Sequence, residues 1–156
     1  MTPADQQIAF IGAGNVATHM AKALRNAGMK IKAVYSHTLA SAQTLAAEVE
    51  ADAIDDIADL PEANIYVYCV KDDVLPEIAA INSLRFPNAL HIHTSGSTPA
   101  NVFLNQWHGV IYPMQTFSKN AALNFSEVRC YIEGSNRQSL KMIDNLARSL
   151  TSHVSE

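Results

Sequence analysis

Four apolar residues, Ile8-Ala9-Phe10-Ile11, run without interruption into Gly12-Ala13-Gly14-Asn15-Val16-Ala17. That is the pattern of a buried strand that stops at a glycine turn and opens a helix. Apolar positions then recur at three and four residues, at Val16, Met20, Ala23, Leu24 and Ala27, as on a helix lying against a sheet, and Gly28 supplies a left-handed residue to end it. Ile31 to Tyr35 reads as the second strand, so strand, helix and strand predict a right-handed parallel crossover. The alternation continues with a helix that Thr38 caps and that turns Leu39, Ala42, Ala46 and Val49 inward, then an edge strand at Ala53-Ile54 and a brief helix over 55–60 stopped by Pro61. Ile65 to Val70 is apolar on both faces, as a central parallel strand is. Asp72 is placed to cap the next helix, with Pro76 in its first turn and Val74, Ile78 and Ile81 as its inner stripe.

Ala89 to His93 reads as a fifth strand, followed by a helix that Pro99 begins and that Val102, Phe103 and Leu104 bury. Val110 to Phe117 is a sixth strand leaving into a loop, with Pro113 marking its end. Val128 to Glu133 alternates apolar and polar and suits the periphery of a sheet. Ser135 with Gln138 three residues on forms a capping box for a last helix with Leu140, Ile143, Leu146 and Leu150 inward, and a strand-like piece starts at Thr151. The fold class predicted is α/β: a doubly wound, mainly parallel sheet of order 3-2-1-4-5-6 with a peripheral strand beyond, and helices on both faces.

The glycine turn carries the chemistry. In a dinucleotide-binding fingerprint the first glycine, here Gly12, allows the tight turn; the second, Gly14, has no Cβ to block a pyrophosphate; and a small residue, Ala17, lets the helix pack closely on the strand. The helix N-terminus then offers free N–H groups and partial positive charge to an anion. The second strand ends in Ser36-His37-Thr38. NAD binders usually carry Asp or Glu here to accept the ribose 2′-OH, and a carboxylate repels the 2′-phosphate of NADP. Hydroxyls and an imidazole predict NADP over NAD, and Thr38 serves equally as a helix cap. Ligands of open α/β sheets bind outside the carboxyl ends of the strands, which places Val70 and Lys71 beside the same cofactor.

Thr94-Ser95-Gly96-Ser97-Thr98-Pro99 leaves the fifth strand as a hydroxyl-rich loop. Such a loop holds a nicotinamide amide or a substrate carboxylate, or is an ordinary capped turn. Gln115 and Thr116 project toward the same crevice. His91 and His93 share a strand face, but no third ligand is placed, so no metal is expected. The formal net charge is −4 with no run of like charges, which argues against nucleic acid or a membrane surface as the main partner. No signal peptide or bilayer-length apolar stretch stands in the sequence, so a cytoplasmic protein is expected. Cys69 and Cys130 lie in separate apolar runs without metal-type spacing and read as buried free thiols.

The segments IGAGNVA at 11–17, VYSHT at 34–38, VYCVKDD at 67–73, HTSGS at 93–97 and YPMQTF at 112–117 resemble a family of NADP-dependent oxidoreductase-like proteins with an N-terminal Rossmann domain and a C-terminal helical domain of unknown function. Its relatives include pyrroline-carboxylate reductase, 6-phosphogluconate dehydrogenase and the deazaflavin-dependent NADP oxidoreductases. The resemblance implies that Gly12, Gly14, Asn15 and Val16 bind the pyrophosphate and that Ser36, His37 and Thr38 bind the 2′-phosphate. It implies that Val70 and Lys71 lie beside the nicotinamide ribose, with Ser95, Gly96 and Gln115 near the reacting end. Relatives often carry Arg where this chain has His37, a change from a permanently charged, bidentate phosphate ligand. The resemblance also implies a homodimer in the full-length protein, through a helical domain before which this chain ends, so residues 1–156 are expected to form a single NAD(P)-binding domain. The function expected is the NADP-binding part of an oxidoreductase that transfers hydride to or from a small molecule. The alternatives are a non-catalytic NAD(P)-sensing module and, less favoured, a methyltransferase. No residue is marked as the catalytic acid or base: His19, His108 and His153 read as structural or solvated.

Overall fold

The computed structural model describes residues 5–115 and 124–156. Eight strands form one sheet in the order β3-β2-β1-β4-β5-β6-β7-β8. They are β1 (Gln7–Ile11), β2 (Lys30–Tyr35), β3 (Asp52–Ile54), β4 (Ile65–Tyr68), β5 (Leu90–His93), β6 (His108–Pro113), β7 (Cys130–Gly134) and β8 (Val154–Ser155). Pairing is parallel from β3 through β6; β7 runs antiparallel to β6, and β8 lies parallel to β7. The doubly wound order read from the sequence holds, extended by two peripheral strands.

The helices are α1 (Asn15–Asn26), α2 (Leu39–Val49), α3 (Leu75–Arg85) and α4 (Arg137–Leu150). On one face Ile8, Phe10, Val67, Ile92 and Ile111 pack with Met20, Leu24, Leu45, Leu146 and Leu150 of α1, α2 and α4. On the other, Ala9, Ile11, Tyr66 and Tyr68 pack with Leu75 and Ala79 of α3 and with Phe103. Both faces of β1 and β4 are therefore dry, which is why their sequences are continuously apolar.

Several local expectations are corrected. In α1 Ala17, Met20, Ala21 and Leu24 are buried and Val16 and Ala23 pack half-buried against the same core, while Ala27 is exposed at the C-cap. Gly28 follows with φ +96, the left-handed position expected of it. In α2 Leu45 is buried and Leu39 is 41% exposed. In α3 the buried residues include Leu75 and Ala79, whereas Val74 and Ile81 stand 42% and 57% exposed. The helix starts later than Asp72, and its N-cap position is Val74, without a side-chain cap. Pro99 leads only into a 3-10 turn, Ala100–Val102, after which Phe103 is buried and Leu104 is exposed. Strand β6 begins two residues early and ends at Pro113; Thr116 and Phe117 lie outside the described residues.

The cap of α4 is Asn136, not Ser135. Its side chain accepts the N–H of Ser139 at 2.7 Å, while the Ser135 hydroxyl accepts the N–H of His108 and donates to the carbonyl of Gln106. Leu140 is half-buried, and Ser139 and Ala147 take fully buried positions. Replacing Asn136 by Ala is expected to cost about 1 kcal/mol, with Gln138→Ala near neutral. Urea unfolding of the two variants checks this, and equal losses would contradict the assignment of the cap.

Candidate functional site

Helix α1 leaves β1 on one face of the sheet and α3 follows β4 on the other, so a crevice opens at the carboxyl ends of these neighbours. A cleft of about 650 Å³ occupies it, walled by Gly12, Gly14, Ser36, His37, Thr38, Val70 and Lys71. These come from three turns far apart in sequence. Asn15 and Val16 do not line it; they are the first residues of α1, Asn15 exposed and Val16 packed against the core. The wall also includes Tyr35, Ser41, Cys69, Asp73, Val74 and Ile78, which the sequence reading did not assign. Val74, expected to turn into the core, instead lines this cleft, and Ile78 packs against the core as expected while also reaching the cleft.

The two fingerprint glycines are required for different reasons. Gly12 has φ +112, and a Cβ there would run into the backbone carbonyl of Cys69. Its N–H donates to Tyr35 O at 2.8 Å, and the N–H of Cys69 donates to Ile11 O at 2.7 Å, so the turn is pinned to both neighbouring strands. Gly14 has an ordinary φ of −81, and a Cβ there would meet nothing within 4 Å. Neither backbone strain nor packing accounts for glycine at position 14. What glycine provides there is an open surface over the start of α1, where the helix's N–H groups face the cleft.

At the end of β2, the Ser36 hydroxyl is nearly buried and accepts the N–H of Thr38 at 3.2 Å. Thr38 holds the N-cap position of α2, but its hydroxyl makes no capping bond, contrary to expectation. The first-turn N–H groups of α2 are left facing the cleft beside exposed His37 and the first-turn Ser41.

The β5 loop lies outside the cleft and is bound largely to itself. Ser95 Oγ accepts the N–H groups of Ser97 and Thr98, each at 3.2 Å. His93 holds both ends: Nδ1 accepts the N–H of Ser95 at 3.1 Å, and Nε2 donates to Pro99 O at 3.2 Å. Burial pushes the His93 imidazole below its usual range, though Asp72 and Glu133 oppose that. Ser97 Oγ donates to Asp72 Oδ2 at 2.8 Å, which ties this loop to the wall residues Lys71 and Asp73. The carboxylate expected to cap α3 is thus engaged with the neighbouring loop. Gln115 is exposed, with its N–H bonded to Pro113 O.

His91 sits fully buried in the sheet. Its Nε2 donates to Phe86 O at 2.8 Å, leaving Nδ1 to accept the Tyr68 O–H at 2.7 Å. Among the described residues no group of three His, Cys, Asp or Glu side chains is placed to hold a metal. Cys69 is half-buried and free, and Cys130 is buried and free. Burial pushes the Cys69 thiol up to about 12, with Thr94 offsetting only part of that effect, and the Cys130 thiol to about 11. A larger hollow of about 790 Å³, lined by Asn64, Phe86, Trp107 and Gln138 among others, lies at the amino ends of β1, β4 and β5 and holds none of the glycine-turn residues. No helix among the described residues is long and apolar enough to cross a membrane.

Comparison with curated proteins finds no match. Among solved structures, the chain is similar to BF3122 of Bacteroides fragilis, provisionally described as an NADP oxidoreductase, at 38% identity and a TM-score of 0.92. That likeness covers 98% of this chain but 61% of the relative, so the chain spans less than two thirds of that protein's length. Prephenate dehydrogenase from A. aeolicus, solved with hydroxyphenyl propionate and NAD+, shares the fold at 15% identity and a TM-score of 0.82, over 96% of this chain and 59% of that one. Protein TM1727 from Thermotoga maritima does so at 19% identity and a TM-score of 0.78, over 95% and 57%. The sheet order, the crevice and the glycine turn are those of the NAD(P)-binding domain of oxidoreductases. The family described as NADP oxidoreductase, coenzyme F420-dependent, matches residues 7–90, more than half of the sequence, and the chain belongs to it.

Proposed function

We propose that this chain binds NADP(H) across the cleft and serves as the cofactor-binding domain of an oxidoreductase acting on a small molecule. The observation that carries the reading is Gly14, where an open surface on the cleft is the reason left for glycine. Gly12, Gly14, Asn15 and Val16 hold the pyrophosphate through the N-terminus of α1. Ser36, His37 and Thr38, with the uncapped first turn of α2, receive the 2′-phosphate; the absence of a carboxylate on this side of the cleft favours NADP over NAD. Val74 and Ile78 give the adenine an apolar bed, and Val70 and Lys71 flank the nicotinamide ribose. The bound dinucleotide supplies a hydride donor or acceptor. Ser95, Gly96 and Gln115 lie toward the reacting end, where the substrate is held. The protein acts as a homodimer.

Calorimetric titration with NADPH and NADH tests the reading. NADPH is expected to bind more tightly, and Gly14→Val is expected to weaken it at least tenfold, about 1.4 kcal/mol or more, while leaving the unfolding midpoint unchanged. A parent chain that binds neither nucleotide, or a Gly14→Val variant that binds as the parent does, would overturn it.

A further inference from the structure

An added Cβ at Gly96 would lie 2.7 Å from Cζ of Tyr112 and 2.9 to 3.0 Å from its two Cε atoms. The loop thus carries glycine at this point because the tyrosine ring lies flat against its backbone. Tyr112 is near the carboxyl end of β6 and half-buried, and its hydroxyl has no hydrogen-bond partner among the described residues. The ring is held by close backbone packing, while its hydroxyl is not among the buried polar atoms left without a partner and so stands open to solvent or to a ligand.

The ring's place relative to the cleft follows from a chain of contacts. Lys71 and Asp73 form part of the wall, Asp72 between them takes the Ser97 hydroxyl at 2.8 Å, and Gly96 beside Ser97 carries the ring. Tyr112 therefore stands one loop beyond the wall, on the β4–β6 side that takes the second mononucleotide of a dinucleotide in a doubly wound sheet. His93, Thr94 and Ser95 at the end of β5 are engaged elsewhere. Both nitrogens of His93 are bonded, the Thr94 hydroxyl donates to Tyr68 O, and the Ser95 hydroxyl is used within its loop. The Cys69 thiol is held protonated by burial.

We propose that the Tyr112 phenol, seated on Gly96, faces the nicotinamide end of the site and gives its proton to the oxygen of a ketone or aldehyde substrate; this rests on the dinucleotide reading above. As the substrate carbon takes hydride from the reduced dinucleotide, the C=O π pair moves to oxygen and forms the new O–H bond with the phenolic proton. The dinucleotide leaves oxidised, the substrate leaves as an alcohol, and the phenolate recovers a proton from water. A carbonyl is the substrate class that uses such a donor, because its oxygen must gain a proton as hydride arrives, whereas an iminium nitrogen already carries one.

The test is carbon NMR of the chain labelled at tyrosine Cζ, with Tyr35 and Tyr112 assigned through Tyr35→Phe and Tyr112→Phe. Tyr35 lines the cleft and serves as the internal control. NADP+ is expected to move both resonances, and 2′,5′-ADP, which lacks the nicotinamide half, to move Tyr35 alone. Movement of Tyr35 without Tyr112 on NADP+, or equal movement of Tyr112 with 2′,5′-ADP, overturns the proposal and leaves the dinucleotide reading standing; movement of neither overturns both. In the active protein Tyr112→Phe is expected to lower kcat for ketone or aldehyde reduction about 100-fold with NADPH affinity unchanged. An undiminished kcat, or no such reduction by the parent protein, removes the proton role.

Discussion

Gly12→Ala is expected to destabilise the chain by about 4 kcal/mol, lowering the thermal midpoint by roughly 10 °C. Two costs combine. The backbone at Gly12 sits at φ +112, a region where a side chain brings on the order of 1–3 kcal/mol of strain. The added Cβ is also driven into the Cys69 carbonyl, with the carbonyl carbon 2.8 Å away. Neither side can move cheaply, because Gly12 N–H is bonded to Tyr35 O and Cys69 N–H to Ile11 O. Overpacking at such a point forces β1 and β4 apart at the crevice itself. Gly28→Ala is the matched control: its φ of +96 carries similar strain, but its Cβ meets nothing within 4 Å. It should lose only about 1–2 kcal/mol. Urea unfolding of the two variants decides the matter, and equal losses would show that the Cys69 contact contributes nothing.

The elements whose burial is symmetrical were legible in the sequence. Ile8 to Ile11 and Ile65 to Tyr68 are covered on both faces, so every position had to be apolar and the strands could be read directly. The glycine turn was legible because Gly12 and Gly14 follow such a strand and precede a helix. In α2 the apolar pattern faced Ala42, Ala46 and Val49 correctly and failed only at exposed Leu39; the helix whose facing it misplaced in part is α3. Val74, Ile78 and Ile81 have helical spacing, yet only Ile78 packs against the core; Val74 lines the cleft, Ile81 is exposed, and the rest of the core side of α3 is Leu75 with small or polar residues, Ala79, Asn82 and Ser83. Where a helix borders a ligand site, apolar residues occur on two faces, and periodicity alone cannot tell which one the sheet takes.

The polar connections of the site were out of reach for a related reason. Asp72, standing ahead of the first-turn Pro76, reads as a cap, since a carboxylate before a helix usually is one. Its true partner, Ser97, is 25 positions away, and the bond exists only because β4 and β5 are adjacent in the sheet. Gly96 was assigned to the reacting end by resemblance, and only the fold reveals the Tyr112 ring resting on it. Seven of the nine residues proposed to hold the cofactor, Gly12, Gly14, Ser36, His37, Thr38, Val70 and Lys71, nonetheless line one cleft. They could be placed because the rule that brings them together, that ligands sit at strand carboxyl ends, needs only the strand order.

The same sheet predicts an acid-sensitive fold centred on His91. The ring is fully buried, stacked at 5.1 Å on Tyr66 and bonded to Tyr68 and Phe86, and burial pushes its pKa from 6.5 to about 4; nearby His108 pushes the same way, and the Phe86 carbonyl opposes them. Protonation would place a charge in the core and would take the lone pair that accepts the Tyr68 O–H. Between pH 4 and 6.5 the unfolded chain therefore binds more protons than the folded one at this site, and stability rises with pH across that window. As pH falls through it, about 3 kcal/mol is lost; below it both states are protonated and the loss stops growing. His91→Gln can keep a donor for Phe86 O and an acceptor for Tyr68 while removing the titration. Urea unfolding at several pH values from 7 down to 4 should show the parent losing about 3 kcal/mol more than this variant, with His93 and the carboxylates contributing alike to both. Parallel losses in the two chains would mean that His91 is not the group that makes this core sensitive to acid.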